Sequence, residues 1–140
     1  MKRQFEMEWS DFGTTIRATL LEGENPEVCK AFVDLLPFTT IFAASMSAGE
    51  MFKVPIPSML PDADIDRLAP LPDEPEGSIF SLGYGSLLVK YGIVVEPFRL
   101  ARIGIVEPDE LANFQSISAK LADAYFFTKD INHVTFRLKD

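Results

Sequence analysis

The stretch from Ser45 to Pro57 gathers the side chains whose types and spacing best suit chemistry: Ser47, Glu50, Phe52 and Lys53, with Gly49 among them. If Glu50 to Ile56 is extended, successive side chains alternate between faces. Glu50, Phe52, Val54 and Ile56 then share one face, and Met51, Lys53 and Pro55 the other. Burying Phe52, Val54 and Ile56 carries Glu50 toward the interior, beside a glycine that leaves room for a ligand. A carboxylate at the mouth of an apolar cavity resists ionising, because desolvation disfavours its charged form. Such a glutamate can serve as acid or base near neutral pH. The plainer outcome is a glutamate that starts its strand facing water or a lysine.

Other residues can complete that chemistry. Tyr91 falls on one face with Leu87 and Val89, so its hydroxyl can reach inward as a donor. Lys53 and Arg102 can hold a substrate carboxylate, the arginine through a two-pronged fork. The expected set is Glu50 and Tyr91 as catalytic residues, with Ser47, Lys53, Phe52 and Arg102 binding substrate. No metal and no cofactor are expected. Asp62, Asp64 and Asp66 alternate like the start of an EF-hand loop, but Arg67 stands where that loop needs glycine. Cys29 reads as packing.

The elements that must position these residues follow from periodicity. Phe5, Met7 and Trp9 alternate with polar neighbours, and Ile16, Ala18 and Leu20 resume the pattern after Asp11-Phe12-Gly13, predicting a hairpin. Asn25 as cap, Pro26 and Glu27 open a helix over 26–36, whose stripe is Val28, Ala31, Phe32, Leu35 and Leu36. Phe38 to Met46 reads as a strand covered on both faces. Residues 58–77 are dense in proline and acid, and predict a long mobile loop beside the site. Strands are expected at 79–84, 87–91, 100–106 and 131–138, with a second helix over 108–126. About eight mostly antiparallel strands and two helices make a closed, mostly β barrel.

The 140 residues suit a single domain, 1–140. Twenty-one acids against 13 bases give a formal charge of -8, a surface that repels phosphate backbones and anionic headgroups. Nucleic acid and membrane are therefore not expected partners; a small-molecule ligand is, and a homo-oligomer is left open. One cysteine forbids an internal disulfide, no apolar signal segment follows Met1, and no run nears the roughly 20 apolar residues of a membrane span, so a cytoplasmic protein is expected.

The order of elements resembles the cyclophilin-like barrel. Leu20-Leu21-Glu22, Asn25 to Cys29, Leu35 to Phe38, Gly49 to Phe52, Lys90-Tyr91-Gly92 and Glu96-Pro97 carry the resemblance. It is closer to small bacterial proteins of largely unassigned function, and to the cyclophilin-like part of cucumopine synthase, than to the prolyl isomerases, whose active-site set is not recognisable. The resemblance implies a cofactor-free, Pictet–Spengler-type condensation of an amino acid with a 2-oxo acid. The other function it implies is a non-catalytic ligand-binding or accessory subunit of a complex that processes cyclic amides.

Overall fold

In a computed structural model that describes residues 2–140, the chain forms ten strands and two helices. The strands are β1 (Gln4–Trp9), β2 (Thr14–Leu20), β3 (Phe38–Ile41), β4 (Ala43–Ala44), β5 (Gly49–Pro55), β6 (Leu68–Pro70), β7 (Ser78–Gly83), β8 (Ser86–Val94), β9 (Arg99–Val106) and β10 (His133–Leu138). Helix α1 is Pro26–Leu35 and α2 is Leu111–Phe127, entered through a short turn at Pro108–Glu110. The sheet order is β3-β10-β1-β2-β9-β7-β8-β5-β4, all pairs are antiparallel, and β6 adds to β9 off that path. Because only Phe42 separates β3 from β4 in the chain, the two ends of the order meet there and the barrel is nearly closed. No helix among the described residues is long and apolar enough to cross a membrane.

The hairpin is seen in full, with Met7 opposite Ile16 and Gly13 turning the chain at φ 61°. The inward faces of β1, β2 and β10 then fill the barrel with Phe5, Met7, Trp9, Ile16, Val134 and Phe136, all wholly buried. Helix α1 sets Phe32 among Phe5, Phe38 and Phe136, with ring centroids 5.1 to 6.4 Å apart. These edge-on pairs add about 0.5–1.5 kcal/mol each beyond their burial. Helix α2 inserts Phe114 and Leu121 and packs against β2, β4 and β8.

Four expectations need correction. Leu35 is only half-buried, at the edge of the stripe. Asn25 stands at the N-cap of α1, but its side chain does not bond the helix's free N–H groups; its Nδ2 donates to the Arg102 carbonyl at 3.0 Å and ties the helix start to β9. The run 38–46 is not one doubly covered strand, because Phe42 breaks it and turns into the core against Trp9 and Phe52. Residues 58–77 are anchored: Leu60 and Leu71 are buried and β6 pairs with β9.

Candidate functional site

The two faces of β5 present two different environments. On the inner face Phe52 is wholly buried, with Tyr91 of β8 stacked on it at 4.5 Å and 25°. Phe52 is thus a core residue rather than a substrate contact. Burial, then the negative charges of Glu50 and Asp123, raise the Tyr91 hydroxyl's pKa and keep it a proton donor. Glu50 itself is exposed and does not line the cleft that its neighbours Met51 and Lys53 line. Its Oε1 accepts the Ile93 N–H at 3.1 Å.

The reason is a break in the ladder. The β5–β8 register shifts between Gly49 and Met51, so extrapolating the alternation past Met51 misplaces Glu50. Gly49 has φ 131°, and a Cβ there would lie 2.5 Å from the Val94 Cα; only glycine fits. Gly92, beside Tyr91, leaves the space that the Glu50 side chain occupies.

The outer face carries a largely apolar cleft, about 370 Å³ in volume, within the usual range of about 300–1,000 Å³ for ligand pockets. Met51, Leu82 and Leu88 form its floor, and Lys53, Glu96 and Phe98 its edges. Lys53 lies opposite Ala43 on one side and Leu88 on the other, which fixes its direction. Glu96 and Phe98 come from the connection between β8 and β9, which crosses over β7. That strap is pinned where Val95 and Glu96 donate their N–H groups to the Ala48 carbonyl at 2.9 and 3.2 Å, and where Leu71 N–H meets the Phe98 carbonyl at 2.9 Å. The Ser45 hydroxyl, accepting the Ala48 N–H at 3.1 Å, shapes the turn beneath it. Among the described residues neither Lys53 nor Glu96 forms an ion pair. An apolar floor between a cation and an anion suits a zwitterion with an apolar side chain.

Of the expected residues, only Lys53 reaches this cleft. Ser47 is exposed on the turn and does not line it. Arg102 lies elsewhere, with 15% of its side chain exposed, between Glu24 (3.0 Å) and Glu74 (3.6 Å). With its Nη1 also donating to the Ser78 hydroxyl at 3.3 Å, its fork is spent on the fold rather than on a ligand. Sequence reasoning missed Glu96 and Phe98. Their signal was Glu96-Pro97, a proline that keeps Glu96 extended in the strap beyond β8.

It also missed Lys90, a buried lysine whose ammonium donates to the carbonyls of Leu71 (2.8 Å), Pro72 (3.3 Å) and Glu74 (2.6 Å). Burial lowers its pKa, against the pull of Glu76, Glu74 and Asp73. Burial likewise pushes the Cys29 thiol up to about 12, which leaves it inert as a nucleophile.

No family model matches the chain, and no curated protein matches it in sequence. Among solved structures the chain is similar to McbB, in a structure of McbB in complex with tryptophan. The two share 25% identity and a TM-score of 0.88 over 96% of this chain. The chain spans 44% of the McbB chain.

Proposed function

We propose that this protein is a small-molecule enzyme that binds an amino acid in the outer cleft and condenses it with a 2-oxo acid, without a cofactor, in a Pictet–Spengler-type reaction. The observation that carries the reading is the placing of Lys53 and Glu96, neither ion-paired, at the edges of an apolar cleft beside Phe98. The likeness to a protein solved with tryptophan supports the ligand class, as does the sequence resemblance to cucumopine synthase.

Lys53 holds the amino acid's carboxylate and Glu96 its ammonium. Glu96 takes the ammonium proton, and the free amine attacks the carbonyl carbon of the oxo acid. The carbinolamine hydroxyl takes that proton back from Glu96 and leaves as water. The ring carbon of the side chain attacks the iminium, and the Glu96 carboxylate accepts the ring proton as aromaticity is restored. Glu50 acts in this reading as a positioning residue: its grip on Ile93 holds the strap that carries Glu96. Incubating the protein with histidine or tryptophan and 2-oxoglutarate tests the reading. The expected product has the summed mass of the two reactants less one water. Its absence from every such pairing, with amino-acid binding intact, would leave a binding protein.

A second reading has one observation in its favour. At the end of α2, Tyr125, Phe126 and Phe127 are exposed, Phe127 at 81%, and Ile131 follows at 68%. An apolar surface of this kind fits an accessory subunit docked on a partner chain.

A further inference from the structure

We propose that the cavity under residues 60–68, at the start of β9, is a second ligand compartment that takes a small carboxylic acid on Arg99. The cavity holds about 380 Å³, with Leu68, Leu82, Leu100 and Ser81 among the residues that line it. Arg99 lines it, and among the described residues the one hydrogen bond its guanidinium makes is from Nη2 to the Leu68 carbonyl at 3.0 Å.

That guanidinium has no counter-ion among the described residues. Arg3, Arg17, Arg102 and Arg137 each pair with one or two carboxylates, whereas Arg67 and Arg99 pair with none. With 21 acids for 13 bases, carboxylates are abundant, yet none lies within ion-pair reach of Arg99 among the described residues. Asp62 lines the same cavity without reaching it. An exposed guanidinium beside Leu68, Leu82 and Leu100, with donors unspent, suits a carboxylate on a short aliphatic chain.

Leu82 lines both this cavity and the Lys53–Glu96 cleft, and Phe98 of the cleft precedes Arg99 of the cavity. The two compartments therefore adjoin, each with its own cation. This deepens the condensation reading and rests on it for the acid's identity: the amino acid lies at Lys53 and the 2-oxo acid at Arg99, their reactive ends meeting over Leu82.

The test is calorimetric titration of 2-oxobutyrate into the intact protein and into Arg99→Met, Arg99→Lys and Lys53→Met, with melting curves to verify folding. The expected result is saturable binding that Arg99→Met weakens about ten- to hundred-fold, the loss of a charged hydrogen-bonded pair. Arg99→Lys should lie between, and Lys53→Met should leave the affinity unchanged. No saturable binding, or an affinity indifferent to Arg99, overturns the proposal, as does a loss that follows Lys53 instead. The condensation reading fails separately, on absence of the dehydrated product, and leaves an Arg99-dependent affinity standing.

Discussion

Replacing Lys90 by methionine keeps the length of the side chain and removes the ammonium that gathers three carbonyls of the 71–74 turn. Each hydrogen bond from a charged donor contributes about 1.5–3 kcal/mol. The three are not additive, since one ammonium's desolvation sets against all of them, and breaking such a cluster leaves carbonyls unpaired. The net expectation is a loss of about 2–4 kcal/mol. For a chain of this length that lowers Tm by roughly 5–15 °C. Circular dichroism melts read the global loss. Hydrogen exchange locates it: protection should fall first at residues 71–77, where the Gly77 N–H bonds the Lys90 carbonyl at 2.7 Å, and only later in β1 and β2. A variant as stable as the parent would refute the reasoning. It would mean that an apolar side chain fills the site as well as the ion does, as happens at some buried ion pairs.

Two further predictions concern Tyr91 and Glu50. Tyr91 and Lys90 should act in opposite directions at alkaline pH. A phenol whose pKa is raised in the fold contributes stability that is full below its ordinary 10.0 and is lost as pH climbs through the folded value. A lysine whose pKa is lowered in the fold gives stability that rises between that lowered value and 10.5, where the unfolded chain holds the extra proton. Tyr91→Phe should flatten the alkaline fall, and Lys90→Met the alkaline rise, in denaturant midpoints measured across that range. Glu50→Gln keeps an acceptor for Ile93, so Tm, ligand affinity and turnover should all match the parent, whereas Glu50→Ala should weaken affinity several-fold by loosening the strap. A folded, ligand-binding Glu50→Gln that has lost turnover would make Glu50 the proton carrier.

The sequence and the structure agree where the signal is repetitive. Phe5, Met7 and Trp9 alternate over six residues, and Phe32 sits in a helical stripe, so burial on one face determined both elements. β4 and β6, at two and three residues, are too short to show a period and exist only through pairing. Glu50 shows how a local break defeats extrapolation: one bulge between Gly49 and Met51 turned an inward carboxylate into an exposed one. Arg102 was misread for a different reason. Its partners Glu24 and Glu74 lie 78 and 28 residues away by their numbers, and only the fold brings them together. The direction of Lys53 was legible because it lies past the bulge, inside the regular ladder. Glu96 and Phe98 were not, since a strap over the outer face of a sheet has no periodicity of its own.

The central claim, that the outer cleft holds an amino acid between Lys53 and Glu96, is tested most directly by calorimetric titration of tryptophan into the parent, Lys53→Met and Glu96→Gln. Both side chains lack ion pairs, so each variant should melt within about 2 °C of the parent, in keeping with surface changes away from structural features. The account predicts saturable binding by the parent and an affinity about ten- to hundred-fold weaker in each variant. Equal affinity in all three proteins, or no binding by the folded parent, would contradict it.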